Sequence, residues 1–220
     1  MNIASYIDHT ILKPTTLMTD VERICNEAKE YQFAAVCIPP LFVKKAKQFI
    51  EGSNVKLATV IGFPFGYSAV EAKIAETVLS IVDGADELDV VINISAIKNN
   101  DWQFLANEIN HIMPVIKNKN KIIKVIIESG ILTNDEIIKC CDIYGIAGID
   151  FMKTSTGYAE KGASVEAVSL MRKHLPDSIQ IKASGGIKSY NFAKQLIDAG
   201  ATRLGCSSSI QIVKEALQQN

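Results

Sequence analysis

Short apolar segments alternate with longer amphipathic ones along the whole chain. Most of the apolar segments are four to eight residues long, and several are rich in Val and Ile. Segments of this length and composition, bounded by Gly, Pro and polar residues, are typical of buried β-strands. The sequence therefore predicts eight strands, within residues 6–12, 34–38, 56–63, 87–94, 121–128, 149–155, 179–184 and 202–207.

Helical periodicity fills the intervals between these strands. Apolar residues recur at steps of three and four between residues 71 and 82 and again between residues 101 and 116, as on the inner face of an amphipathic helix. The first stripe is Ile74, Val78 and Ile81, with Ala75, Leu79 and Val82 beside it, and the second is Trp102, Leu105, Ile109, Ile112 and Ile116.

Helix starts are marked by residues that can accept hydrogen bonds from free backbone N–H groups. A Thr followed three residues later by Glu predicts a capping box, and a Ser before an amphipathic stretch predicts an N-cap. The expected boxes are Thr19 with Glu22 and Thr133 with Glu136, and the expected N-caps are Ser164 and Ser189.

The order of these elements predicts a barrel. Strands separated by helices are parallel and joined by right-handed crossovers, and eight such units at a spacing of roughly 28 residues close into a (β/α)8 barrel. We expect one domain over residues 1–220, with an additional helix supplied by the stretch before residue 30. The alternative is an open doubly wound sheet with one misread strand, which the lack of an early Gly-rich dinucleotide fingerprint disfavours.

Composition narrows the classes of partner. Of the 220 residues, 48% are hydrophobic and 21% are charged, and the formal net charge is −1. A net charge this close to zero produces no positive electrostatic potential over the whole surface that would attract nucleic acid or an anionic membrane. Any site for an anion must therefore be formed by a local group of residues. No apolar run reaches the ~18–20 residues of a membrane span. We expect a small-molecule ligand and neither nucleic acid nor membrane as a partner.

Cysteine and histidine usage bears on location and metal binding. The five cysteines are odd in number and irregularly spaced, which favours a reducing cytosol over a disulfide framework. The N-terminus has no basic start and is interrupted by Asp8 and His9, so we expect no signal peptide. The three histidines are far apart, so we expect no metal site.

Two lysines carry the strongest chemical signal. Lys153 in IDFMKTSTG and Lys182 in IQIKASGGI each lie near the end of an apolar strand, and the two strands are adjacent in the predicted barrel. A single strand lysine usually points outward and extends its charge between helices. Two lysines at equivalent depth on neighbouring strands favour a pair that points into the barrel. Repulsion between the two ammonium groups then makes one of them lose its proton more easily. A neutral lysine attacks aldehydes, so the pair predicts Schiff-base chemistry.

A carboxylate is expected opposite these lysines. In GADELDVVINIS, period two places Glu87, Asp89, Val91 and Asn93 on the face toward the barrel interior. Asp89 can then act as a counter-charge or a proton shuttle. The alternative is a structural ion pair with Lys124 in KIIKVIIE, and both interpretations can hold together.

Glycines and serines after the last two strands predict a phosphate site. Loops after strands seven and eight of such barrels, with the following helix N-terminus, commonly hold phosphate. SGGI alone is more often a turn, but GCSSS beside it favours a ligand. Lys188 and Arg203 could add charge, although Arg203 could lie too low in its strand. The expected substrate- or phosphate-binding residues are Asp8, as a substrate contact, together with Gly157, Gly185, Gly186, Gly205, Ser207 and Ser208. Phe63 and Phe65 of GFPFG could wall the site.

Together these segments resemble the deoxyribose-phosphate aldolases, a class I family with a (β/α)8 barrel. The match covers nearly the whole chain. It rests on YIDHTILKP, AAVCIPP, VIGFPFG, GADELDVVIN, KVIIESG, DFMKTSTGY, IKASGGI and RLGCSSS, in the family's order.

The resemblance implies cleavage of 2-deoxy-D-ribose 5-phosphate to D-glyceraldehyde 3-phosphate and acetaldehyde. It implies that Lys153 forms the Schiff base, that Lys182 perturbs its pKa and assists proton transfer, and that Asp89 moves protons through water. The residues alone do not decide which lysine is the nucleophile. No cofactor is implied, and we expect a cytoplasmic enzyme, as a homodimer.

The sequence departs from the family pattern at three places. Tyr158 stands where some members have a phosphate-holding lysine, and Lys188 replaces an arginine. No tyrosine follows Tyr190, whereas some members end in a tyrosine that reaches the site. Open alternatives are a phosphosugar isomerase or synthase with the same phosphate site, a non-catalytic sugar-phosphate-binding regulator, and a metal-dependent aldolase, which the scattered histidines disfavour.

Overall fold

The computed structural model describes residues 2–218. Its eight parallel strands pair in chain order, and β1 also pairs with β8, so that the sheet closes into a barrel. The predicted (β/α)8 barrel is therefore confirmed. The strands are β1 (Ile7–Thr10), β2 (Ala35–Ile38), β3 (Lys56–Ile61), β4 (Glu87–Val91), β5 (Ile122–Ile126), β6 (Phe151–Lys153), β7 (Gln180–Ser184) and β8 (Arg203–Cys206).

Helices surround the barrel and supply the crossovers. They are α1 (Met18–Tyr31), α2 (Val43–Phe49), α3 (Val70–Val82), α4 (Ile94–Lys98), α5 (Trp102–Lys117), α6 (Asn134–Ala147), α7 (Val165–His174), α8 (Tyr190–Asp198) and α9 (Ser209–Gln218). The additional N-terminal helix expected from the stretch before residue 30 is not found in the described residues, because α1 forms the ordinary crossover between β1 and β2. The helix in excess of eight crossovers is the short α4, which precedes α5 in the connection between β4 and β5. A short 3-10 turn, Ile3–Tyr6, precedes β1.

The barrel separates two kinds of interior. The main apolar core lies between the strands and the helices, where outward residues such as Leu88 and Val90 pack. A smaller apolar cluster, on β2 and β3, consists of Ala35, Cys37, Ala58 and Val60. The remaining strands send charged residues into the barrel, as the period-two pattern of β4 predicted.

The buried face of α3 differs from the predicted one. Val78, Leu79 and Val82 are exposed, whereas Lys73 is fully buried. The Lys73 ammonium donates to Glu108 of α5 at 2.6 Å and to the carbonyl of Val91 at 2.7 Å. These partners offset the cost of burying the charge, so a lysine takes the inner face and the apolar stripe turns partly to the surface.

The predicted caps and the second stripe are largely confirmed. Thr133 and Glu136 form a reciprocal capping box, and Ser164 and Ser189 cap α7 and α8. The box at Thr19 is wrong, because α1 already begins at Met18. The apolar residues of α5 face the core, with Leu105, Ile109, Ile112 and Ile116 buried and Trp102 packed against them.

All five cysteines are free and buried. Within the described part of the chain, no helix is both long and apolar enough to cross a membrane. Met1, Gln219 and Asn220 lie outside the described residues. The two ends of the predicted domain, and the last two residues of the tail that lacks a tyrosine, therefore lie outside the described residues.

Candidate active site

Lys153 and Lys182 lie side by side inside the barrel. Lys153 ends β6, Lys182 is the middle residue of β7, and the two are direct partners in the strand register. Both are nearly inaccessible to solvent. Their ammonium groups donate to the same oxygen of Asp89, Oδ2, at 2.8 and 2.7 Å. The predicted inward pair and its carboxylate are thus together in the structure.

The carboxylate of Asp89 accepts hydrogen bonds from three lysines. Its second oxygen, Oδ1, accepts from Lys124 of β5 at 2.7 Å, and Asp89 and Lys124 are register partners. Burial alone would raise the pKa of Asp89, but Lys124, Lys153 and Lys182 hold it well below its usual range. Asp89 therefore stays ionised, and the pairing with Lys124 exists alongside the contact with the two lysines.

Asp8 lies below the site and not at its surface. The side chain is fully buried, and its two oxygens accept from Lys182 and Arg203. Arg203 is low in β8, where it also faces Glu87 at 3.2 Å. The carboxylate oxygens of Asp8 are occupied by these cations, so the arrangement does not support the substrate contact expected for Asp8. It instead keeps Lys182 charged.

Electrostatics distinguish the two lysines, which the sequence could not. Burial lowers the pKa of Lys153, the charge of Lys182 lowers it further, and Asp89 opposes both. Burial would also lower the pKa of Lys182, but Asp8 and Asp89 outweigh it, and the pKa rises well above its usual range. Lys153 is therefore the lysine of the two that loses its proton more easily, whereas Lys182 remains a cation.

Counting the charges leads to the same assignment. Within residues 2–218, the ion-pair network of the barrel interior joins three carboxylates to four cations, so one cation is in excess. Lys153 contacts one carboxylate of this network, whereas Lys124 and Lys182 each contact at least two. The proton that leaves at least cost is the one on Lys153. The network consists of Asp8, Glu87, Asp89, Lys124, Lys153, Lys182 and Arg203.

A cavity of about 590 Å³ opens above Lys153 at the carboxyl ends of the strands. Three basic side chains, Lys13, Arg23 and Lys188, contribute to its wall. Ser208 is the residue before α9 and is half-buried. The cavity wall includes most of the predicted ligand contacts, namely Gly157, Gly185, Gly186, Gly205 and Ser207.

Backbone conformation at this wall requires glycine. Gly185 has a φ of +88°, and a Cβ there would lie 3.1 Å from the Cα of Gly162. Gly186 has a φ of +78°, with open space where a Cβ would point. A side chain at either position would be strained, and one at Gly186 would project into free space beside the cavity. The bare backbone and the start of α9 leave N–H groups accessible to an anion.

The loop after Lys153 is held by a residue that the sequence analysis missed. Glu128 follows β5 in a left-handed conformation and is buried. Its carboxylate accepts from the backbone N–H of Thr156 at 3.2 Å and from the Thr156 hydroxyl. On the other side, the Ser184 hydroxyl donates to the carbonyl of Ser155 at 2.6 Å. The signal for Glu128 in the sequence was an acidic residue at the end of the apolar segment KIIKVIIE.

His9 was also missed as a structural link. Its Nδ1 lies 2.9 Å from the hydroxyl of Ser209, and its Nε2 lies 2.7 Å from the carboxylate of Glu27. Arg23 donates to the same carboxylate. The buried imidazole thus joins β1, α1 and the first residue of α9. It fixes the helix start that contributes to the cavity wall.

Tyr158 and Phe63 form an aromatic contact at the mouth of the barrel. Their ring centroids are 5.4 Å apart and the rings meet edge to face, while the Tyr158 hydroxyl donates to the carbonyl of Leu12 at 2.7 Å. Phe65, the other expected wall residue, is exposed and stacks on Tyr67. Tyr158 lines the cavity together with Leu12.

Comparison with known proteins agrees with this geometry. A protein from Caldanaerobacter subterraneus subsp. tengcongensis, named deoxyribose-phosphate aldolase, is 45% identical over all of this chain and 95% of its own length. A solved putative deoxyribose-phosphate aldolase from Coccidioides immitis is 38% identical, with a TM-score of 0.94, covering 98% of this chain and 86% of that one.

A solved deoxyribose phosphate aldolase from Aeropyrum pernix, described as having a unique tetrameric structure, is 32% identical with a TM-score of 0.92. The match covers 99% of this chain and 92% of that one. The model of the DeoC/LacD family aldolases matches residues 2–212. A family match over nearly the whole chain and a relative that is 45% identical over its full length establish that this chain belongs to the DeoC/LacD family of aldolases.

Proposed function

We propose that this protein catalyses the reversible cleavage of 2-deoxy-D-ribose 5-phosphate to D-glyceraldehyde 3-phosphate and acetaldehyde. The observation that carries the proposal is the placement of Lys153, a buried lysine with a lowered pKa, at the base of the cavity. The names of the relatives support the choice of substrate. The enzyme is a lyase that uses no cofactor in this scheme.

Lys153 begins the reaction as a neutral amine. Its Nζ attacks C1 of the open-chain sugar, and loss of water from the carbinolamine gives a protonated imine. Lys182 stays charged throughout, because Asp8 and Asp89 raise its pKa. It can therefore donate a hydrogen bond to the departing hydroxyl, while its charge favours the neutral form of Lys153.

The imine then serves as the electron sink for carbon–carbon cleavage. Loss of the proton from the 3-hydroxyl breaks the C2–C3 bond and releases glyceraldehyde 3-phosphate, and the bonding electrons form an enamine on Lys153. Protonation of C2 and hydrolysis release acetaldehyde and restore the amine. Asp89 is ionised and bonded to Lys153, so we assign it the relay of these protons through water.

The phosphate is held at the opposite wall of the cavity. We assign its contacts to the backbone N–H groups of Gly186, Ser207 and Ser208, with the two serine hydroxyls and the start of α9. Lys188 contributes charge from an exposed position, and Gly157, Gly185 and Gly205 let the sugar phosphate approach the backbone closely. Helix N-termini and bare glycine backbone favour anions in this way.

Borohydride trapping tests the proposed function. Acetaldehyde plus borohydride should give a stable covalent adduct, detected by the mass of the intact protein. An isomerase or synthase with the same phosphate site needs an acid–base pair and no amine nucleophile, so it would give no adduct. A sugar-phosphate-binding regulator would also give none. Absence of the adduct, with no release of acetaldehyde from the sugar phosphate, would therefore contradict the proposal.

We also propose that the chain is a single domain over residues 1–220, works in the cytoplasm and forms a homodimer. Five free, buried cysteines support a reducing compartment. Assembly is supported by exposed apolar residues such as Ile146 and Val82 and by the tetrameric relative from Aeropyrum pernix. Light scattering coupled to size-exclusion chromatography measures the mass directly, and a monomeric mass would contradict the homodimer.

A further inference from the structure

Tyr158 joins three loops at the mouth of the barrel. Its backbone belongs to the connection after β6, two residues beyond the buried Thr156. Its hydroxyl donates to the carbonyl of Leu12, in the connection after β1, at 2.7 Å. Its ring meets the edge of Phe63, in the connection after β3, with the rings at 89°. One half-exposed side chain therefore spans the opening above the lysines.

The position of Tyr158 is fixed at both ends. Its backbone N–H donates to the hydroxyl of Thr156 at 3.0 Å, and that hydroxyl in turn donates to the buried carboxylate of Glu128. The far end of the side chain is held by Leu12. An aromatic side chain has few rotatable bonds, so little conformational entropy is lost in holding it here. Tyr158 is consequently a rigid wall of the cavity.

Apolar space lies close behind this wall. Leu12 and Phe63, the two residues that Tyr158 contacts, both pack against the apolar cluster of β2 and β3 inside the barrel. Leu12 and Tyr158 themselves line the cavity that reaches Lys153. The phenol ring thus limits the width of the cavity on the side of the apolar cluster. Its removal would widen the cavity toward Leu12 and Phe63.

We propose that Tyr158 determines which carbonyl donor can occupy the imine on Lys153. The wall favours the two carbons of acetaldehyde over donors with a further carbon on the apolar side. This inference rests on the proposed aldolase function and adds a specificity-determining residue to it. Tyr158 acts by shape, since its hydroxyl is bonded to Leu12 and takes no part in proton transfer.

The experiment measures aldol addition to glyceraldehyde 3-phosphate with acetaldehyde and with propanal as competing donors. Tyr158→Ala should raise the ratio of kcat/KM for propanal over acetaldehyde about tenfold or more, as expected when a pocket gains room for one methylene. Tyr158→Val should give an intermediate ratio. Tyr158→Phe keeps the ring and should keep the wild-type ratio. Tyr67→Ala, on an exposed aromatic residue of the neighbouring loop, is the matched control and should also leave the ratio unchanged.

An unchanged donor ratio in both Tyr158→Ala and Tyr158→Val would overturn the inference. So would a change confined to the KM of the phosphorylated acceptor, which would place the ring against the other half of the substrate. Borohydride trapping of acetaldehyde is run on every variant. An adduct in Tyr158→Ala shows that the variant is folded and that the lysine is active, whereas the absence of both an adduct and acetaldehyde release in the wild type would defeat the proposed function itself.

Discussion

Lys153 and Lys182 are cross-strand partners of β6 and β7 that share a single carboxylate oxygen, Oδ2 of Asp89. Sharing one acceptor holds the two nitrogens within the ~4–6 Å over which like charges shift each other's pKa. Lys182 also pairs with a second carboxylate, that of Asp8, whereas Asp89 is the one carboxylate paired with Lys153 in the described structure. The same repulsion therefore acts on both lysines, but Lys153 yields its proton more easily.

Replacement of Lys153 tests this asymmetry most directly. Lys153→Ala should fold, because it removes one buried charge from a network with a cation in excess, and it should lose the borohydride adduct completely. Peptide mapping of the wild-type adduct should find it on Lys153. Lys188→Ala, at the exposed edge of the cavity, is the control and should retain trapping. An adduct mapped to Lys182 would refute the assignment.

Lys182 is expected to set the pH dependence. Burial and the charge of Lys182 both lower the pKa of Lys153, so Lys182→Leu should raise that pKa without restoring the value of a free lysine. The neutral amine is the reactive form, so activity is lost as the pH falls through this pKa. A raised pKa moves the acidic limb of the kcat/KM profile to higher pH. Lys182→Arg keeps the charge and should leave the limb near its wild-type position. A limb that does not move in Lys182→Leu would contradict the role of Lys182.

The barrel and the inward charges could be predicted because both rest on local pattern. Period two in β4 places Glu87 and Asp89 on one face whatever the rest of the chain does. The buried face of α3 could not be predicted in this way, because an amphipathic pattern assumes that lysine faces water. Lys73 faces inward because its ammonium donates to Glu108, 35 residues away along the chain, and to the carbonyl of Val91.

Without the family resemblance, the residues alone could not predict which of the two lysines is the nucleophile. Lys153 and Lys182 occupy equivalent depths, and the charge that separates them comes from Asp8, 174 residues away from Lys182. Asp8 was expected to contact the substrate, whereas in the structure its carboxylate accepts hydrogen bonds from Lys182 and Arg203. The roles of His9 and Glu128 depend likewise on partners from other elements. Spacing predicts which residues share an end of the barrel, and partner geometry decides what each one does.

Asp89→Asn should separate imine formation from proton transfer. The substitution removes an anion that stabilises protonated Lys153 and a group that carries protons, so imine formation should persist while enamine formation slows. Exchange of the acetaldehyde methyl protons in deuterated water, followed by NMR, reports the enamine. Loss of exchange with borohydride trapping intact supports the relay. Full exchange would reduce Asp89 to a counter-ion of Lys124 and the two site lysines.

A negative charge at the start of α9 should repel the phosphate. Ser207→Asp and Ser208→Asp should each raise KM for deoxyribose 5-phosphate much more than KM for free deoxyribose, because the second substrate has no phosphate to repel. Lys13→Ala, on a basic side chain of the same cavity wall, tests whether side-chain charge contributes there as well. Equal effects of the serine variants on both substrates would place the phosphate elsewhere.

The buried pair of Lys73 and Glu108 should be a large contributor to stability. Burial raises the pKa of Glu108 and lowers that of Lys73, so both groups have lost their hydration and depend on each other. Glu108→Ala leaves the Lys73 ammonium buried without its carboxylate, and removing one partner of such a pair costs about 3–5 kcal/mol. Chemical denaturation followed by circular dichroism measures the loss.

A second variant separates the lost pair from the lost side-chain volume. Combining Glu108→Leu with Lys73→Met removes both charges and keeps the packing, so it should recover much of the stability that Glu108→Ala loses. The recovery should be incomplete, since the carbonyl of Val91 and the N–H of Asn93 lose their partners. Asp198→Ala breaks an exposed ion pair with Lys194 and should leave the denaturation midpoint almost unchanged. If Glu108→Ala were as stable as the wild type, the ion pair with Glu108 would not explain why Lys73 is buried on the inner face of α3.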